Sequence, residues 1–81
     1  MSDNQNRKAR RNIDVTVGES VRIMRELQEL SQNELAALTG IAPSTIFAIE
    51  NDRVSLGVGR AKKIARALRV HPAALVLPDG T

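Results

Sequence analysis

Apolar positions along the chain fall into short periodic stretches, punctuated by residues that start or stop helices. From Val17, the positions Val21, Met24, Leu27 and Leu30 recur on one side of a helix, with Ile23 on its border, and mark the expected buried face. Thr16 three residues before Glu19 reads as a capping box, despite the helix-weakening Gly18. Ser31 and Glu34 form a second capping box, and Leu35, Ala36, Leu38 and Thr39 follow helical spacing up to Gly40, which suits the left-handed close of a helix. Ile41 and Ala42 make a turn, and Pro43 fits the first turn of a third helix, where a missing N–H costs nothing. On that helix Ile46 and Ile49 point inward, while Ser44, Thr45, Phe47, Ala48 and Asn51 face out. Ser55 is placed to cap a fourth helix through residues 56–68, with Ala61, Ile64, Ala65 and Leu68 inward and Gly57 and Gly59 weakening its first turn. Pro72 opens a fifth short helix, Ala73 to Val76, closed by Pro78. The pattern predicts an all-α fold of five helices.

A short helix, a Gly-containing turn and a second helix with a small-residue outer face is the helix-turn-helix pattern. Spacing alone leaves open any helical hairpin without a ligand. The residues are more specific. SQNELA, TGIAPSTI and IENDR, flanked by VRIMREL before and by KKIARAL and VHPAAL after, fall in an order that closely resembles the XRE-type helix-turn-helix family, the DNA-binding domains of lambdoid phage repressors and Cro. The resemblance runs from about Val21 to Leu77. It implies a lambda-repressor-like five-helix domain with the helix-turn-helix at its second and third helices, and double-stranded DNA as partner.

Eighty-one residues make one domain at most. The expected division is a disordered basic arm over 1–14, the domain over 15–78 and a tail over 79–81. A chain this short buries only about 60% of its unfolded surface, so dimerisation would help it. With no cysteine there is no disulfide framework or thiolate metal site, and no run of residues reads as a signal peptide or membrane span. A soluble protein of a bacterial or phage-infected cytoplasm is the expectation.

The net charge of +3 is modest, but its distribution is uneven. Arg7, Lys8, Arg10 and Arg11 cluster in the arm, and after Asp52 no acid appears until Asp79 while Arg53, Arg60, Lys62, Lys63, Arg66 and Arg69 crowd that half. This asymmetry suits a polyanion, and equally a solvated surface. The arm reads either as a solvated tail or as a segment that contacts DNA. The basic face of the fourth helix reads as solvated, except for Arg60.

Catalytic constellations are missing, and no cofactor or metal is expected. His71, the single histidine, stands beside Pro72 at a helix cap without Cys or carboxylate neighbours, and the serines lie at caps and turns. The Gly57–Gly59 stretch lacks the preceding strand and the Lys-Ser/Thr ending of a phosphate loop. An enzyme is therefore not expected.

The resemblance also implies roles for residues. Pro43, Ser44, Phe47 and Ala48 match positions that meet base edges; Gln32, Asn33, Thr45, Asn51 and Arg53 match contacts to the sugar-phosphate backbone. Arg25 and Glu50 match a structural ion pair between the first and third helices. Phe47 and Ala48 depart from the polar residues common there and could pack on thymine methyl groups. Phe47, the sole aromatic, could instead be buried; partial exposure is favoured because the isoleucines already fill the inward positions. Family members bind inverted repeats as two-fold dimers. The apolar Ala74, Leu75, Val76 and Leu77 are the candidate dimer patch, with some of them needed to close the core.

Two functions fit. One is a dimeric repressor that inserts the third helix into the major groove of its operator. The other is a type II antitoxin, since the C-terminal half resembles HigA- and HipB-like proteins; it would neutralise a toxin and repress its own operon. A protein-interaction module that has lost DNA binding is a third reading, favoured only by the apolar Phe47–Ala48 face.

Overall fold

Both expected capping boxes form. The Thr16 hydroxyl accepts from the Glu19 amide at 3.0 Å while the Glu19 carboxylate accepts from the Thr16 amide at 3.0 Å; Ser31 and Glu34 reciprocate at 2.9 and 2.7 Å. They open the first two of five helices: α1 Val17–Leu27, α2 Gln32–Thr39, α3 Pro43–Glu50, α4 Val58–Leu68 and α5 Ala73–Val76. The computed structural model describes residues 15–76, which contain no strand. The proposed arm, with Arg7, Lys8, Arg10 and Arg11, the tail, Leu77 and Pro78 lie outside the described residues.

The helices wrap one apolar core, with α2 packed on α3 and α4, and α1 packed on α3, α4 and α5. Val21, Leu35, Ile46, Ile49, Ile64, Leu68 and Leu75 are its largest fully buried members. Leu75 thus fills the protomer's own core, which removes it from the side chains free to join two copies, whereas Ala74 is exposed.

Two local expectations change. Leu27, expected inside, is 77% exposed, and Met24 and Leu30 are only half-buried. The inward line of α1 runs instead through Gly18, Val21 and Arg25, so Leu27, two positions past Arg25, turns to solvent. Ser55 does not cap α4. Gly57, at φ 76°, is the N-cap and makes no side-chain cap bond, while the Ser55 carbonyl accepts from the Arg60 guanidinium at 3.2 Å. The chain turns there to bury Leu56, which leaves Ser55 outside the first turn. The fifth helix forms over the expected Ala73–Val76, directly after Pro72, with His71 Nδ1 accepting from the Ala73 amide at 3.0 Å.

Gly18 explains its own presence. A Cβ built there would lie 2.3 Å from the Ile49 carbonyl oxygen and 2.9 Å from that of Glu50, so α1 and the end of α3 meet backbone to backbone. Asp52, itself at φ 58°, fastens the contact: its carboxylate accepts from the Thr16 hydroxyl at 2.6 Å and from the Gly18 amide at 3.0 Å. At the far end of α1 the Gln28 side-chain amide donates to the Leu68 carbonyl, joining it to α4.

A buried ion pair holds α1, α2 and α3 together. Arg25 Nε and Nη2 donate to the two oxygens of Glu50 at 2.7 and 2.9 Å, and Arg25 Nη1 donates to the Leu30 carbonyl at 2.7 Å. Gln32 Nε2 adds a bond to Glu50 Oε1 at 3.0 Å. The two charged residues are 8% and 4% exposed. Hydrogen bonding to Glu50 raises the Arg25 pKa above its ordinary value against the opposing effect of desolvation, so the guanidinium stays charged wherever the protein is folded.

Two sets of substitutions check this packing. Gly18→Ala improves intrinsic helix propensity yet forces the helices apart, and should cost about 1–3 kcal/mol in urea unfolding. Gly59→Ala, where a Cβ meets nothing within 4 Å, should instead gain about 0.4–1 kcal/mol. Arg25→Met strands the Glu50 charge and should cost about 3–5 kcal/mol. Combining it with Glu50→Leu should recover most of that loss, and strictly additive losses in the cycle would show the two residues to be uncoupled.

Candidate nucleic-acid interface

The connection from α2 to α3 is built from local chemistry. Gly40 closes α2 at φ 76°, its amide donating to the Ala36 carbonyl at 2.8 Å. The Thr39 hydroxyl donates to the Leu35 carbonyl at 2.8 Å and accepts from the Ile41 amide at 3.2 Å, which directs the chain into the turn. Ile41 is buried and anchors that turn to the core. Ala42 is the N-cap of α3 without a side-chain bond, and Pro43 takes the first helical position, where its fixed φ is already helical.

The inward side of α3 is fixed by Ile46, Ile49 and Glu50, all buried. Pro43, Ser44, Phe47 and Asn51 are exposed, and Thr45 and Ala48 are half-buried. Glu50, the one acid of α3, is held by Arg25, so no unpaired charge stands on the outer face. Phe47 keeps 44% of its surface exposed, which resolves its position in favour of the outer face.

Asn33 is exposed and Gln32 half-buried at the N-terminus of α2, where the first amides have no partner within a helix's own ladder. Gln32 directs its amide NH₂ to Glu50, tying this end of α2 to the end of α3. Asn51 folds back, its Nδ2 and backbone N–H both donating to the Phe47 carbonyl at 2.9 and 3.0 Å. The Arg53 guanidinium lies over the Phe47 ring, 5.5 Å from its centroid. One continuous surface therefore carries the start of α2, the outer side of α3 and the turn after it.

Two features here go beyond what the sequence pattern indicates. The stacking of Arg53 on Phe47 has a local signal, since the pair is six apart across a helix end, yet the resemblance points Arg53 to the backbone alone. The Asp52 link to Thr16 and Gly18 spans 36 and 34 positions, and nothing in either segment announces it. Among the described residues no group of three or more His, Cys, Asp or Glu could hold a metal ion, and no helix is long and apolar enough to cross a membrane.

Residues 21–75 match the family model described as Helix-turn-helix. Two proteins of Sinorhizobium fredii (strain NBRC 101917 / NGR234), each described as an uncharacterized HTH-type transcriptional regulator, are similar in sequence. One, y4aM, is 32% identical over 98% of this chain and 57% of its own length; the other, y4wC, is 32% identical over 84% of this chain and 48% of its own. The chain thus spans about half the length of these curated relatives. Among solved structures, the restriction-modification controller protein C.AhdI from Aeromonas hydrophila superposes with a TM-score of 0.72 at 31% identity, over 75% of this chain and 92% of that one. The P22 c2 repressor, crystallised in complex with synthetic operator 9T, gives a TM-score of 0.71 at 21% identity over the same shares, a likeness of fold. With a family match over most of its length and a lambda-repressor-like arrangement of five helices, the chain belongs to the XRE-type helix-turn-helix family.

Proposed function

We propose that the protein is a transcriptional regulator, most simply a repressor, that binds double-stranded DNA as a homodimer on an inverted repeat. Helix α3 enters the major groove, with Pro43, Ser44, Phe47 and Ala48 toward base edges. Gln32, Asn33, Thr45, Asn51 and Arg53 meet the backbone on either side, and these contacts set the register in which base edges are read. Arg7, Lys8, Arg10 and Arg11 add charge from the arm, and Ala74, Val76 and Leu77 are the residues through which two copies pair.

The observation that carries this reading is the outer surface of α3. It is uncharged, it stands clear of the core, and it is flanked by the helix N-terminus at Gln32–Asn33 and by Arg53. A duplex presents phosphates to the flanks and base edges to the centre, the same sequence of polarity. The descriptions of the relatives as transcriptional regulators and of a fold neighbour in complex with an operator support it.

Fluorescence anisotropy with the duplex from upstream of the protein's own gene, beside a shuffled duplex, tests the proposal. Selective binding should weaken by roughly a thousandfold between about 50 and 200 mM salt if six phosphates are contacted. Ser44→Glu places an anion on the groove face and should weaken binding by roughly a hundredfold or more, because like charges brought together cost several kcal/mol. As Ser44 is exposed, its stability should stay within about 0.5 kcal/mol. Absence of binding to either duplex at low salt would overturn the DNA reading.

A further inference from the structure

We propose that Phe47 and Arg53 form a unit that reads a C5-methyl group on a pyrimidine in the major groove, accepting thymine and, more weakly, 5-methylcytosine, while rejecting their unmethylated counterparts. The inference rests on the groove-binding role of α3 proposed above, and names what that helix reads.

A large aromatic ring on the outer face of a small domain exposes apolar surface that folding leaves uncovered, and Phe47 is 44% exposed. The ring is not left loose. Arg53 lies over it at 5.5 Å from the centroid, within the range where a guanidinium is attracted by the negative face of a ring. The backbone beneath both residues is closed into one turn. The Phe47 carbonyl accepts twice from Asn51, at 2.9 and 3.0 Å, and the Arg53 amide donates to the Ala48 carbonyl at 2.8 Å. Asp52, between them, is anchored to the start of α1 through Thr16 and Gly18. The position of the guanidinium relative to the ring is thus set by the same turn that ends α3.

Chemistry then limits what such a ring can recognise. Phenyl carbon offers no partner to the oxygen or amino edge of a base, so facing a bare cytosine leaves the N4 donor dehydrated and unsatisfied. A C5-methyl gives the ring apolar surface to bury, and thymine is the ordinary base that carries one in the major groove. 5-Methylcytosine carries the same methyl beside the N4 donor, so it ranks between thymine and cytosine. Arg53 serves as a positioning residue: it holds the ring toward the base while its charge faces the duplex.

The test begins by enriching duplexes from a random pool with the full chain, then replacing each thymine of the enriched half-site singly by deoxyuridine, which removes the methyl and nothing else. One thymine per half-site should show affinity falling about fourfold on that change, the equilibrium worth of one buried methyl. At that position 5-methylcytosine should bind more tightly than cytosine. Phe47→Ala should erase the thymine-to-deoxyuridine ratio, and Arg53→Gln should shrink it. A residue that merely held a phosphate would, on substitution, weaken both duplexes equally and leave the ratio intact. Both residues are exposed, and unchanged helical circular dichroism confirms that the variants fold. If no thymine shows a methyl effect that Phe47→Ala removes, the methyl-reading proposal fails while the groove-binding role stands. If Arg53→Gln leaves the ratio unchanged, the positioning role of Arg53 is overturned. If no duplex is enriched, the groove-binding role itself falls, and this proposal with it.

Discussion

Everything on the outer face of α3 depends on one buried carboxylate. Glu50 ends the helix and takes three hydrogen bonds, two from Arg25 on α1 and one from Gln32 at the start of α2. Arg25 spends its remaining fork on the Leu30 carbonyl between those two helices. Charges buried this deeply gain little net stability over a well-packed apolar pair, because desolvation consumes most of the Coulomb energy. What distinguishes them is direction. An apolar contact tolerates sliding and rotation, whereas a two-pronged guanidinium–carboxylate bond has one geometry. Three helices that share one such site keep one mutual orientation, and on the proposed function a helix that enters a groove requires that more than it requires additional stability.

A second junction acts on the same end of α3. The absence of a Cβ at Gly18 lets α1 rest directly on the carbonyls of Ile49 and Glu50, and Asp52 closes the contact with two further bonds. The C-terminal half of α3 is therefore fixed from two sides. Its N-terminal half is held more lightly, by Pro43 and by the burial of Ile41 and Ile46. Ser44 sits on that lighter half, where a neutral hydroxyl can donate or accept and so adapts to several bases. Phe47 sits where the fixed half begins. On the proposed function, a rigid ring and an adaptable hydroxyl one turn apart would place most of the specificity at the better-anchored end.

Much of this was legible in the sequence because it is local. Capping boxes, the Gly40 close and Pro43 at the start of α3 are each decided within four residues, and each is present. The errors arose where partners lie far apart. Leu27 has the right spacing for the core, but Gly18 and Arg25 set the inward line of α1 through contacts with residues more than twenty positions away. Ser55 has the chemistry of a cap, yet burial of Leu56 moves the start of α4 past it. Part of the apolar run from Ala74 to Leu77 had to close the core, and local spacing does not say which residue; packing against α1 and α4 assigns Leu75. In each case tertiary packing decided what the local signal misplaced or left open.

The distribution of charge separates two tasks that a reader of DNA must perform. With Glu50 neutralised by Arg25, α3 presents no net charge, so it contributes little to long-range attraction for a polyanion. Among the described residues the exposed cations stand elsewhere: Arg22 on α1, Arg53 just past α3, Arg60, Lys62, Lys63 and Arg66 on α4, and Arg69 at its C-cap. On the proposed function, attraction and discrimination fall to different residues. Phosphate contacts raise affinity for every sequence and vanish with salt, while a neutral face contributes only where its shape meets a matching base edge. Arg53 is the exception, since it belongs to both sets. Its guanidinium covers the Phe47 ring, and on the proposed function that ring faces the bases while the charge faces the backbone. A substitution there should change affinity and selectivity together, whereas one at Arg60, at the start of α4, should change affinity alone.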